Sequence, residues 1–434
     1  MFIAGGNVVD PLKKTTVKMD ILIVNGEIVD MGPELSVDRR EAKVIDATGK
    51  YVLPGLFDMH VHLRDPGYEY KETIATGGKS AVRGGFTGVA CMPNTNPIAD
   101  SKAVVNYILD RARRESPVKV HPIAAITKDS VGKELVEMAD LKEAGAVAFS
   151  DDGNPVCDSG IMRKAMEYAS MLSMPIISHS EDLTLSRGGV MNEGYNSTIL
   201  GLRGIPAPAE ETMIARDLIL AGYTGCRTHI AHVSTAGSVN LIREAKARGV
   251  PVTAEVTPHH FSLTDDAVKD FNTLAKVNPP LRTEYDLREI KRGLADGTID
   301  VIATDHAPHS SEEKDVEFDH APFGLVGLET AFGLVYKELV ATGVLSMEEA
   351  VAKMTVGPAS ILGLNTGTLE VGGSADITII DPDFEETVTT EGLVSKSKNT
   401  PFLGWKLRAL PVVTIVDGKV VMERSCFSGK GGGV

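Results

Sequence analysis

Hydrophobic positions follow two different patterns along this chain. Near the start, Ile21-Leu22-Ile23-Val24 and Ile28-Val29 flank an Asn25-Gly26 step, and near the end Val412-Val413-Thr414-Ile415-Val416 and Val420-Val421 flank Asp417-Gly418. Both central residues of a type I′ turn need positive φ, which Asn-Gly and Asp-Gly tolerate, so each segment predicts a β-hairpin. Residues 375–380 add a further alternating strand. Lone hairpins bury too little surface to persist, and chain ends commonly lie close together. Segments 1–52 and 364–434 are therefore expected to form one small discontinuous β-sandwich domain, with 429–434 as a frayed tail.

Between them, short β-rich runs recur at 53–62, 86–92, 118–126, 146–152, 175–180, 228–234, 250–256 and 299–304. Most follow a stretch with the 3.6-residue spacing of a packed helix, such as Val104-Val105-Asn106-Tyr107-Ile108-Leu109. This α/β alternation predicts a (β/α)8 TIM-type barrel over 53–363, a fold that needs about 250 residues and tolerates insertions. The rival, an open doubly wound sheet, would more often show a GxGxxG turn after its first strand, and none follows the first run.

Composition narrows the function. With 43% apolar and 24% charged residues, the 434-residue chain has globular composition. Its 44 basic against 59 acidic residues give a charge of −15, which repels polyanions and argues against a nucleic-acid partner. The cysteines (Cys91, Cys157, Cys226 and Cys426) form no CxxC pair, as expected in a reducing cytoplasm. No signal-peptide pattern and no apolar run near the ~18 residues of a membrane span is present.

Barrel chemistry sits at the C-terminal ends of the strands. Those ends carry His60 and His62 on the first run, Asp151-Asp152 on the fourth, His179 on the fifth, His232 on the sixth and Asp305 on the eighth. Side chains two apart on a strand share a face, so His60 and His62 point the same way. Imidazole and carboxylate are ligands Zn²⁺ favours. Four histidines and two aspartates exceed the needs of one tetrahedral ion and suit two ions sharing a carboxylate. A single HxH or an isolated histidine is more often ordinary packing; the coincidence at five strand ends carries the prediction.

The motifs Gly55-Leu-Phe-Asp-Met-His60-Val-His62-Leu-Arg64-Asp-Pro-Gly67, Met92-Pro-Asn94-Thr, Ser150-Asp-Asp-Gly153, Ser178-His179-Ser-Glu-Asp, His232-Val-Ser and Thr304-Asp305-His-Ala-Pro-His309 resemble the amidohydrolase superfamily, and within it the dihydroorotases. The resemblance runs over essentially the whole chain. It implies a dinuclear zinc site and reversible ring-opening of dihydroorotate to N-carbamoyl-aspartate. Several relatives bridge their metals with a carboxylated lysine on the fourth strand; here 146–152 offers only aspartates, as in the bacterial subgroup. Asp151 and Asp152 face opposite ways on a strand, and alternation does not choose between them; matching the motif places the bridge at Asp152.

The same resemblance implies further roles. Asp305 would be a ligand and the general base, Asn94 a contact to the substrate carboxylate, Asn278 and His309 contacts to the substrate, and Pro322, Phe323 and Gly324 backbone contacts to the ring on a loop that closes over it. Arg64, two residues after His62, suits a substrate carboxylate; a salt bridge to Asp65 or Glu69 is the alternative. Without that carboxylate a dihydropyrimidinase, hydantoinase or allantoinase would fit, and a non-catalytic scaffold is the reading outside enzymes. A homodimer and docking with aspartate transcarbamoylase are expected partners. His229, three residues before His232, faces the opposite way on a strand and is read as packing; His121, His306 and His320 show no partner spacing, and His259-His260 is read as structural.

Overall fold

The computed structural model describes residues 1–37 and 42–424, so Cys426 and the 429–434 tail lie outside the described residues. Both hairpins form. Thr15–Val24 pairs antiparallel with Glu27–Gly32, and Lys406–Val416 with Lys419–Glu423. The turn residues all take positive φ: Asn25 51°, Gly26 89°, Asp417 46° and Gly418 70°. Segments from both ends then join one mixed eight-stranded sheet. Phe2–Asp10 lies beside Tyr51–Pro54 in parallel, and Tyr51–Pro54 pairs antiparallel with Ile377–Thr387. Ile3, Ile21, Ile28, Val52, Ile377 and Val413 are among the buried side chains that form its core.

The barrel strands run parallel in two ladders. Leu56–Val61, Phe86–Cys91 and Lys119–Pro122 form one; Ile176–Ser178, Thr228–Ile230, Val252–Val256 and Val301–Ile302 form the other. Phe149 joins them through bridges to Ala124 and Ile176, and Val61 closes the circle through a bridge to His306. The fourth run is thus shorter than expected, and the eighth keeps only two ladder residues. One buried cluster includes Met59, Ala90, Ile123, Ala148, Ile177, Ala231 and Ala303, gathering side chains from seven of the eight runs.

The first run divides. Leu53 and Pro54, expected in the barrel, pair with Thr378 and Ile377 of the small sheet, and the barrel strand begins at Leu56. Gly55 makes the junction: a Cβ there would lie 2.1 Å from Thr87 Oγ1, so no other residue fits without displacing the second strand. Helices on the barrel's rim start from side-chain caps, Thr73 accepting from Thr76 N and Thr283 from Asp286 N. Among the described residues no helix is long and apolar enough to cross a membrane.

His121 packs on Phe57 with ring centroids 5.6 Å apart. Burial, aided by the Lys119 ammonium, pushes its pKa down from 6.5 to about 4. The unfolded imidazole therefore takes up a proton before the folded one, and this contribution to stability is lost as pH falls from 6.5 towards 4. In His121→Phe, which keeps an aromatic ring against Phe57, the fall in Tm across that interval should be shallower than in the wild type.

Candidate active site

Six of the expected side chains converge at one end of the barrel. His60 Nε2 lies 3.4 Å from Asp152 Oδ1 and 3.5 Å from Asp305 Oδ1. His62 Nε2 lies 2.9 Å from Asp305 Oδ1 and 3.4 Å from Asp152 Oδ2. His179 Nδ1 and His232 Nε2 are each 3.6 Å from Asp152 Oδ1 and 2.9 Å from one another. All six residues are buried. Asp151 points elsewhere: it accepts from Ile126 N at 2.7 Å, Thr127 N at 3.1 Å and the Thr127 hydroxyl, pinning the end of the third run.

Local backbone explains how short strands aim these groups inward. His232 and Asp305 follow the last ladder residues of their strands and adopt φ of 33° and 48°, and Arg64 adopts 61°. Non-glycine residues in this region cost of order 1–3 kcal/mol each, and such strain clusters at functional sites. Behind Asp305, the buried Asp58 carboxylate accepts from Thr304 N and His60 N, tying the first strand to the eighth. Burial raises its pKa to about 6.

Three histidines are oriented by acceptors on their far side. His60 Nδ1 meets Glu255 Oε1; His62 Nδ1 donates to Asn94 Oδ1 at 2.8 Å; His179 Nε2 donates to Glu181 Oε2 at 3.2 Å. Each contact places a proton on the outer nitrogen and turns the inner lone pair toward Asp152. The result is a concentration of lone pairs. His60 Nε2 and Asp152 Oδ1 are buried with no hydrogen-bond partner. His179 Nδ1 and His232 Nε2 face each other within hydrogen-bond distance, so either one of them carries a proton or a cation lies between them. In the protein alone protons fill this role: Asp152 and Glu255, despite the opposing effect of burial, raise the basicity of His60, and Asp152 and Glu181 lift His179 to about 10. A cation accepts the same lone pairs. Two groups have metal-binding spacing, His60–Asp152–His232 and His60–His62–Asp305, and they share His60.

The remaining candidates lie around this centre with contacts of their own. Arg64 makes no salt bridge with Asp65 or Glu69. Its Nε donates to Pro308 O at 3.2 Å and a terminal nitrogen sits 3.4 Å from His309 Nε2, while Asp65 instead takes Tyr107 OH and Arg111. His309 Nε2 donates to Phe323 O at 2.9 Å and Nδ1 accepts from Lys71 Nζ at 3.3 Å. Burial together with the Arg64 and Lys71 charges drives the His309 pKa far down, which keeps that ring neutral. Asn94 spends its carbonyl on His62, and Asn278 Nδ2 donates to Glu181 at 2.8 Å. Pro322 O accepts from Lys314 Nζ at 2.7 Å, and Gly324 N donates to Lys276 O at 2.9 Å, so the loop rests on two buried lysines. Its first residues form a helical turn over Ser311–Lys314 with Ser310 and Glu313 as a capping box.

The sequence reading missed Glu255, Glu181 and Asp58. Glu255 also accepts from His229 Nε2 at 3.1 Å, so His229 belongs to this network instead of the packing role expected for it. A carboxylate inside the apolar run 252–256 was the available signal, because charge in such a run needs a buried partner. His306 likewise has partners, Gly327 N and Glu72, while His260 bridges Thr257 and Pro279 O, consistent with a structural role.

A parallel barrel with histidines and aspartates gathered at the strand ends defines the amidohydrolase class, and the amidohydrolase family profile matches residues 212–422. The L-hydantoinase (dihydropyrimidinase) of Arthrobacter aurescens superimposes with a TM-score of 0.87 at 27% identity over 97% of this chain and 96% of that one. The dihydro-orotase-like profile matches residues 49–238. The dihydroorotase of Pelotomaculum thermopropionicum is 62% identical over 98% of both chains, and that of Acetivibrio thermocellus 56% identical over 98% of this chain and 99% of its own. The chain belongs to the dihydroorotase family.

Glu255→Gln keeps the shape but presents an amide N–H to one of the two imidazole N–H groups it now accepts. Metal retention should fall ~10–100-fold, the usual effect of losing an orienting carboxylate. Elemental analysis after timed dialysis against a chelator measures it, and unchanged circular dichroism should show that the fold survives.

Proposed function

We propose that this protein interconverts dihydroorotate and N-carbamoyl-L-aspartate, in the ring-closing step of de novo pyrimidine synthesis. The observation that carries the substrate assignment is Arg64. Its guanidinium lies close enough to feel the charges of Asp305, Glu313 and Asp152, yet among the described residues no carboxylate forms a salt bridge with it. A partly buried arginine without a counter-ion is costly, and a substrate carboxylate compensates it with paired N–H donors. Dihydroorotate carries that carboxylate; dihydrouracil and hydantoin do not.

The inward lone pairs of His60, His62, His179 and His232 with Asp152 and Asp305 suit two zinc ions, Asp152 being the carboxylate that touches both groups of ligands. Bound there, zinc polarises the amide carbonyl and acidifies water toward neutral pKa. The chain's own residues supply the rest. The neighbouring histidines hold the Asp305 pKa down, to about 2, despite the opposing effect of burial, so its carboxylate is ionised at working pH. In the hydrolytic direction it accepts the proton of the attacking water and delivers it to the departing ring nitrogen. Arg64 and the Asn94 amide N–H₂ hold the carboxylate, His309 and Asn278 orient the ring, and the backbone of Pro322, Phe323 and Gly324 closes over it, excluding bulk water. The chemistry implies the cytoplasm, where an aspartate transcarbamoylase supplies carbamoyl-aspartate.

Two variants test this reading. In Arg64→Met, kcat/KM for dihydroorotate should fall at least ~10³-fold while the slow turnover of dihydrouracil is unchanged, because only the former loses a charge partner. Equal losses on both, or a wild type that prefers dihydrouracil, would move the assignment to the hydantoinase type. Asp305→Asn should retain metal by elemental analysis yet lose at least ~10²-fold in turnover, the scale of a missing general base.

A further inference from the structure

The segment between the two longest strands of the small sheet, residues 388–405, crosses to the mouth of the barrel. Glu329 accepts from Val394 N at 2.9 Å and Ser395 N at 2.8 Å. The buried Glu72 accepts from the Ser395 hydroxyl and from Lys396 N at 3.2 Å, and Ser397 Oγ donates to Lys71 O at 2.7 Å. Held this way, the segment delivers Asn399, only 4% exposed, to the loop that follows the eighth strand.

Asn399 uses every polar atom of its side chain there. Oδ1 accepts from His309 N at 3.0 Å, and Nδ2 donates to Ala307 O and to Gly324 O, each at 3.1 Å. Its own carbonyl accepts from Val326 N at 2.9 Å. One amide therefore ties together the two ends of the loop: the His309 end and the Gly324 end. Both ends carry groups that the proposed function sets against the substrate ring.

We propose that Asn399 is a positioning residue for substrate recognition, fixing the spacing between His309 and the Phe323–Gly324 backbone, so that a segment of the small domain shapes the pocket wall facing the ring. The inference rests on the reading of His309 and Pro322 to Gly324 as substrate contacts. Removing the amide leaves an N–H and two carbonyls buried without partners, and the loop relaxes to regain them. Contacts made equally in ground and transition states affect KM and spare kcat. None of these hydrogen bonds goes to the six residues at the centre, so metal content is expected to be unaffected.

The test compares wild type with Asn399→Ala and Asn399→Asp. The aspartate keeps the acceptor for His309 N but loses both donors, and serves if the alanine variant does not fold. The expected result is a KM for dihydroorotate raised at least ~10-fold with kcat within about threefold, and full metal content. In the free protein, hydrogen–deuterium exchange should rise at least ~10-fold in peptides spanning 306–312 and 322–328, with peptides of the barrel strands unchanged. An unchanged KM in a variant of an active wild type overturns the proposal. So does faster exchange throughout the barrel with kcat and KM altered together, the mark of a packing role. A wild type inert toward dihydroorotate overturns the reading of function instead, and the exchange measurement still decides whether Asn399 braces the loop.

Discussion

Everything at this site depends on placing several carboxylates together away from water. Asp152, Asp305, Asp58 and Glu255 are all buried, and Glu181 stands beside them. Isolated, each would cost several kcal/mol to desolvate or would give up its charge. The four imidazoles offset that cost, and they do so directionally. Glu255, Glu181 and the Asn94 carbonyl take the outer N–H groups of three of them, which leaves the inner nitrogens aimed at Asp152 and Asp305. The same arrangement that makes the acids tolerable in the fold leaves a focused excess of lone pairs for cations.

This electrostatic knot also explains the backbone around it. Short strands bring His232, Asp305 and Arg64 to the rim, and left-handed φ values turn their side chains back over it. Asp58 holds the first and eighth strands at the spacing the cluster needs. Positive groups gather on one side of this centre, at His309: burial, with the charges of Arg64, Lys71 and Lys314, holds that ring neutral, so it can accept a hydrogen bond from a substrate or donate one to it. Negative charge at the centre and positive charge at the rim match a substrate with a polarisable amide at one end and a carboxylate at the other.

Much of this was legible from the sequence wherever a local rule is strict. The hairpins were readable because Asn-Gly and Asp-Gly suit paired positive-φ turns, and the barrel because eight β-rich runs alternate with helical spacing. His60 and His62 were readable as a pair because two-residue spacing on a strand fixes a common face. Alternation failed where strands stop early. The sixth strand ends at Ile230 and the fourth contributes bridges at Phe149, so the facing of His229 relative to His232, and of Asp151 relative to Asp152, is set by loop backbone that carries no periodic signal. Glu255 was missed for a different reason: its partner His60 is 195 residues away and leaves no local spacing to detect, whereas Glu181 stands two residues from His179 and was within reach of a spacing argument. Asn399 is the extreme case, a polar residue in a segment without pattern whose role comes wholly from where the small sheet delivers it.

The passage of the chain through Gly55 has one more consequence. Tyr51–Pro54 is an inner strand of the small sheet and, one residue later, Leu56 opens the barrel strand that carries His60 and His62. Excising the barrel as a minimal catalyst would strip both neighbours from Tyr51–Pro54 and leave a raw β edge just upstream of those histidines, a template for aggregation. Engineers who wish to transplant this centre should move the sheet with it.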